Sequence, residues 1–336
     1  MSVVGYGDYR YELDDSWPNI PEGWTLGEGW AGTNPEGKGG VKEVPLIDAN
    51  GLGWSGIGVT DVAADSDDRI YVFNRDKHPV IVFEAESGDF VTSWGEHEFL
   101  ETHGIFVDSE DNVWTTDRQL HVVVKHTKYG EELLKLGEKG WSSASVTPHG
   151  MHPDHAFLAN PFSMPGGVSV SSTGNIFVAD GYGNRQVHKF KPNGEKELSW
   201  GSPGIGDGEF SLVHNLDIDS KDRIFVCDRH NDRMQIFDHD GNYIDSWTNL
   251  NFPGGVYCDR KNLVYIAEQG GLENGKPRDP GVSIFTESGE LVSRFRGEYV
   301  EAHGITLDSK GNIYTAELRK DRGNSTKRVK KFVRTR

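Results

Sequence analysis

Residues 167–201 read GVSVSSTGNIFVADGYGNRQVHKFKPNGEKELSWG, and this stretch decides the fold. A short apolar run after a glycine meets a polar turn, Ser171-Ser172-Thr173-Gly174-Asn175. Ile176-Phe177-Val178-Ala179 follows as a second strand and Val187-His188-Lys189-Phe190 as a third. A second turn, Pro192-Asn193-Gly194, leads into an outer strand that ends in Ser199-Trp200-Gly201. Short apolar runs bounded by Asn and Gly turns are strand signals, because those residues tolerate positive φ and cap their own turns.

The outline recurs along the chain at a period of about forty residues. Its first turns are Asp65-Ser66-Asp67-Asp68, Asp108-Ser109-Glu110-Asp111-Asn112, Asp219-Ser220-Lys221-Asp222, Asp259-Arg260-Lys261-Asn262 and Asp308-Ser309-Lys310-Gly311-Asn312. Ile70-Tyr71-Val72-Phe73, Val113-Trp114-Thr115, Ile224-Phe225-Val226, Val264-Tyr265-Ile266 and Ile313-Tyr314-Thr315 follow them. Outer strands end in Ser93-Trp94-Gly95 and Ser246-Trp247. Helical periodicity is almost absent. Six units of four strands predict an all-β, six-bladed β-propeller, a ring that leaves only short sheet edges.

The reading is a single propeller domain over residues 1–336, with the segment 1–50 closing the last blade. The last unit, from about Glu301, runs out near Phe332 after three strands, so its fourth strand must come from elsewhere. Gly23-Trp24-Thr25-Leu26-Gly27 is the expected donor. Insertions at about 140–164 and 270–280 interrupt the period. Long loops in repeat proteins are often functional. The first insertion carries His149, His152 and His155, read either as a lid over the channel or as a solvated loop.

Composition narrows the function classes. The formal net charge is −17, which repels nucleic acid and anionic membrane surfaces. No apolar run approaches the ~20 residues that span a bilayer. Two cysteines, Cys227 and Cys258, make no disulfide framework. A polar, acidic start from Met1 to Asp15 does not read as a secretory signal. The expectation is a cytoplasmic monomer or weak oligomer.

Three units carry histidine at one identical place, just before the innermost strand: Thr102-His103-Gly104-Ile105, Val213-His214-Asn215-Leu216 and Ala302-His303-Gly304-Ile305. The other three have Thr60-Asp61, Gly166-Gly167 and Gly254-Gly255 there. Equivalent positions sit at equal height around a propeller axis, so blades two, four and six aim three imidazoles at one point. A lone His would be read as a turn cap. Three on alternating blades read as an open site for one divalent metal, zinc first, with Fe, Cu, Ni and Co also suited to imidazole. A second set follows the next strand: Asn74-Arg75-Asp76, Asp180-Gly181-Tyr182 and Cys227-Asp228-Arg229. Arginine at a channel mouth can clamp a carboxylate through two hydrogen bonds. A tyrosine beside a metal and two arginines could act as a base. The alternative for this set is ordinary loop charge.

His103, His214, His303, Arg75, Tyr182 and Arg229 together resemble peptidyl-α-hydroxyglycine α-amidating lyase, built on NHL-like repeats. The resemblance covers roughly residues 50 to 335. It rests also on Phe73-Asn74-Arg75-Asp76-Lys77-His78, Asp180-Gly181-Tyr182-Gly183-Asn184-Arg185 and Asp228-Arg229, where Arg229 lies fifteen residues after His214. It implies a lyase that breaks an α-hydroxyglycine into an amide and glyoxylate. By that analogy the three histidines hold the metal, Tyr182 deprotonates the hydroxyl, and Arg75 and Arg229 position the substrate. The chain departs from the family in two places. Gly304 stands where an acidic residue would hold a structural calcium, and Gly183 where a disulfide cysteine is expected. With no hydroxylating domain in these residues, a small hydroxy-carboxylate is the expected substrate rather than a peptide. Two other functions compete: a lactonase-like hydrolase, whose metal would be held mainly by Glu, Asp and Asn, and a non-catalytic NHL scaffold that binds protein.

Overall fold

In a computed structural model of the protein, residues 3–27, 58–143, 161–273, 276–297, 301–318 and 328–335 are described. They form six antiparallel sheets around a central axis. Innermost strands are Val59–Ala64, Thr102–Val107, Gly167–Val170, Val213–Ile218, Pro253–Cys258 and Ala302–Leu307, for blades 1 to 6 in order. Each inner strand packs on the next around the ring, and the sixth on the first. The propeller reading holds, with the histidines on blades 2, 4 and 6.

Local chemistry explains the repeat. In five blades an aspartate opens the first turn, and its Oδ1 accepts the N–H groups two and four residues on. Asp108, for example, takes Glu110 and Asn112 at 3.0 and 2.9 Å. Asp65, Asp219, Asp259 and Asp308 do the same. The turn's serine then reaches across to the next blade. Ser66 bonds Asp111, Ser172 bonds Asp222, Ser220 bonds Asn262 and Ser309 bonds Asp68. Outer-strand tryptophans complete three of the six joints. Trp94 lies against Gly130 of blade 2, Trp200 against Gly241 of blade 4 and Trp247 against Gly289 of blade 5. A Cβ at any of these glycines would come within 3 Å of an indole ring. Six apolar clusters fill the six interfaces between neighbouring blades, so burial is distributed around the ring rather than gathered in one centre.

The closing strand is Tyr9–Asp14, not the segment at 23–27. It pairs antiparallel with Val329–Thr335, with Leu13 opposite Phe332, and Val3–Tyr6 adds a fifth strand outside it. The reason is alternation. Tyr9, Tyr11 and Leu13 share one face, which packs on the cluster between blades 5 and 6, where Tyr11 is fully buried. Residues 23–27 carry no strand. Gly23 and Gly27 have φ of 81° and 68°, Trp24 stacks on His78 with ring centroids 3.5 Å apart, and Leu26 is buried against blade 1. Within the second insertion, Leu272–Glu273 and Lys276–Pro277 pair as a short hairpin. His149, His152 and His155 lie outside the described residues.

Candidate metal centre

Each histidine is fixed by a main-chain carbonyl of the next blade. His103 Nδ1 donates to the Gly166 carbonyl at 2.7 Å, His214 Nδ1 to Gly254 at 2.5 Å, and His303 Nδ1 to Thr60 at 2.5 Å. The three acceptors occupy the histidines' own repeat position on blades 3, 5 and 1. A carbonyl can only accept, so each Nδ1 carries the proton and each Nε2 keeps its lone pair. The same kind of hydrogen bond sets the tautomer of histidines that hold metals.

The rings converge. Their centroids are 4.9 Å apart for His103 and His214, 5.0 Å for His103 and His303, and 4.7 Å for His214 and His303. Their ligand atoms all lie within 4.8 Å of one another, the one such group of three or more His, Cys, Asp or Glu among the described residues. All three side chains are buried. Burial, reinforced by the arginines nearby, holds His103 and His214 well below the usual imidazole range and His303 down to about 3. They are therefore neutral near pH 7, the form that binds metal. His214 Nε2 is buried without a hydrogen-bond partner. An orphaned lone pair costs free energy unless something occupies it. Three neutral Nε2 donors facing one point fit a zinc-type ion with an open fourth position.

Tyr182 stands against this ring. Its hydroxyl donates to His103 Nε2 at 2.9 Å, so it lies beside the atom a metal would take. Arg118 and Arg229 flank its ring, with Cζ atoms 4.6 and 5.5 Å from the centroid. Arg75, on blade 1, is buried, its Nε donating to the Thr102 carbonyl at 3.1 Å and a terminal nitrogen 3.3 Å from Glu101. All six residues singled out in the sequence thus lie around one end of the channel. The acids beside them serve the fold instead. Asp228 holds Arg233 at 2.9 Å and Asp180 the Ser163 amide at 3.0 Å.

Sequence reasoning missed Arg118 and Glu101. Arg118 follows the second strand of blade 2 as Arg75 and Arg229 follow those of blades 1 and 4, so the repeat position was a usable signal. Glu101 makes two bonds to Arg118 and meets Arg75 as well. Burial would raise its pKa, but Arg75 and Arg118 outweigh that and hold the carboxyl below its usual range.

One residue further along the inner strands, the carboxylate of this layer comes from blade 1. A Cβ at Gly304 would lie 2.0 Å from Asp61 Oδ1, so blade 6 has no room for a side chain there. Asp61 accepts the amides of Val62 and Ile105, and burial raises its pKa to about 8. A small cavity of about 50 Å³ lies in the channel here, lined by all six blades.

The NHL repeat model matches residues 162–190. NHL repeat-containing protein 3 of Mus musculus is 30% identical over 294 residues, which cover 81% of this chain and 78% of that one. The chain belongs to the NHL repeat-containing protein 3 family. This NHL-repeat propeller is also homologous to the amidating lyases. Peptidylglycine alpha-amidating monooxygenase of Rattus norvegicus is 28% identical over 314 residues, covering 79% of this chain and 30% of that protein. Peptidyl-alpha-hydroxyglycine alpha-amidating lyase 1 of Drosophila melanogaster is 27% identical over 285 residues, covering 76% and 48%. The chain therefore spans under a third of the first enzyme and about half of the second. Among solved structures, a streptogramin B lyase matches with a TM-score of 0.54 at 13% identity, over 87% of this chain and 95% of that one. A Xanthomonas campestris gluconolactonase matches at 0.53 and 13%, over 82% and 86%. At such identity these two show the fold alone. No helix among the described residues is long and apolar enough to cross a membrane.

Proposed function

We propose that this NHL-repeat propeller is a metal-dependent carbon–nitrogen lyase that cleaves a small α-hydroxyglycine-like carboxylate into an amide and glyoxylate. The observation that carries the reading is the Tyr182 hydroxyl 2.9 Å from His103 Nε2, within a ring of three buried Nε2 donors and between two guanidiniums. His103, His214 and His303 would hold the ion, which supplies Lewis-acid polarisation of the substrate oxygen when bound. Arg229 takes the carboxylate, and Arg75, held with Arg118 on Glu101, positions the substrate from the other side. Tyr182 relays one proton: its Oη takes the proton of the substrate hydroxyl while its own phenolic proton passes to the departing nitrogen, the C–N electron pair going to that nitrogen as the O–H pair forms the carbonyl, so that amide and glyoxylate are released. Homology to the amidating lyases supports this class. The donor set weakens the hydrolase reading, since the ring offers imidazole and no carboxylate. Both cysteines are free, in keeping with a reducing compartment.

The test is glyoxylate release from N-acyl-α-hydroxyglycines by the metal-loaded protein, beside Tyr182→Phe. The variant is expected to keep its metal and fold and to lose about 10²–10⁴-fold in kcat, the usual worth of a positioned acid–base group. Full activity in the variant, or no release from any N-acyl-α-hydroxyglycine, contradicts the reading.

A further inference from the structure

Arg75, Arg118 and Arg229 are buried around Tyr182, and only the first two share a carboxylate. Glu101 takes two bonds from Arg118 and lies 3.3 Å from Arg75. Asp117 is the next acid, but its oxygens accept the amides of Leu100, Glu101 and Leu120, and it forms no ion pair with these arginines. Arg229 is 4% exposed and meets no carboxylate among the described residues. One terminal nitrogen donates to the neutral Gln269 side chain at 3.1 Å, and its Nε is buried without a partner. Among the described residues, three guanidiniums paired with one carboxylate leave two positive charges without an ion-pair partner. Buried charges without partners are costly, so the site is built for anions.

The two surplus charges are not in one place. One belongs to the Arg75–Glu101–Arg118 group, the other to Arg229, and Arg118 and Arg229 both lie against the Tyr182 ring. We propose that Arg118 creates a second anion subsite, so that the site takes a substrate with two anionic groups, a dicarboxylate. Arg229 binds one carboxylate, and the Arg75–Arg118 pair binds the other. Glu101 holds the Nε–Nη2 edge of Arg118, so the second carboxylate would meet the remaining Nη1–Nη2 edge, which a planar guanidinium can also present as a pair of parallel hydrogen bonds. Tyr182 then stands between the subsites, beside the reacting hydroxyl. The inference rests on the reading that a carboxylate substrate enters this end of the channel, but needs no turnover to be tested.

Calorimetric titration of the zinc-loaded protein with glutarate and with butyrate separates two carboxylates from one. Glutarate is expected to bind about tenfold or more tightly than butyrate, as charge-assisted hydrogen bonds imply. Arg118→Gln is expected to abolish most of that preference while changing butyrate affinity less than about threefold. Arg118→Lys, which keeps the charge without the fork, is expected to retain part of it and serves if the Gln variant does not fold. Equal affinity for both acids in the parent protein, or a preference that survives both substitutions, overturns the inference. Glyoxylate release without a dicarboxylate preference would sink the second subsite and leave the lyase. The preference without release would do the reverse.

Discussion

Arg229 shows how much a single buried charge can carry. Burial lowers its pKa, and a substrate carboxylate would supply the missing counter-ion. Arg229→Ala should therefore raise KM at least as much as it lowers kcat, by about 10–100-fold, the worth of one charge-assisted contact. Steady-state kinetics decide this, and an unchanged KM would contradict the carboxylate clamp. At this scale the histidines were legible because identical repeat positions translate into one height on the axis. Arg118 obeys the same rule and could have been found by it. Glu101 could not, because nothing in the string Leu100-Glu101-Thr102 says that it faces two guanidiniums from different blades.

At the scale of elements, the turns were the most legible feature. Asp, Asn and Gly are needed where Oδ1 caps amides and where φ is positive, as at Asp68, Asp111, Asp222 and Asn262. The closing strand was misplaced because Trp24 and Leu26 look like strand residues. Their glycine neighbours bend the chain, and the aromatic instead finds a stacking partner in His78. Strand chemistry also sets a pH dependence. His126, on the third strand of blade 2, is buried beside Thr115 and Trp94, and burial lowers its pKa to about 4. The unfolded chain takes up this proton near pH 6.5 and the native chain only near 4. The contribution is thus complete above 6.5 and lost as pH falls through that window, by up to about 3 kcal/mol. His126→Asn should flatten the fall of Tm between pH 6.5 and 4. An unaltered slope would show that His126 titrates normally.

The whole molecule depends on its closure. Tyr11 ties the first strands to the last blade through a cluster that includes Tyr265, Phe295 and Phe332. Tyr11→Ala should destabilise the propeller by about 3–5 kcal/mol, the range for large buried aromatics. Denaturant unfolding reads this directly, and a loss under about 1 kcal/mol would mean that the ring closes without that strand. Closure also holds the ring of histidines, since the Thr60 carbonyl of blade 1 fixes His303 of blade 6. Blades 2, 4 and 6 are expected to bind one ion together. Elemental mass spectrometry of the purified protein, beside His214→Ala, tests it most directly. The expected result is about one equivalent of zinc or another imidazole-binding metal, lost in the folded variant. No metal after reconstitution, or full retention in His214→Ala, would contradict the claim and turn this propeller into a binding scaffold.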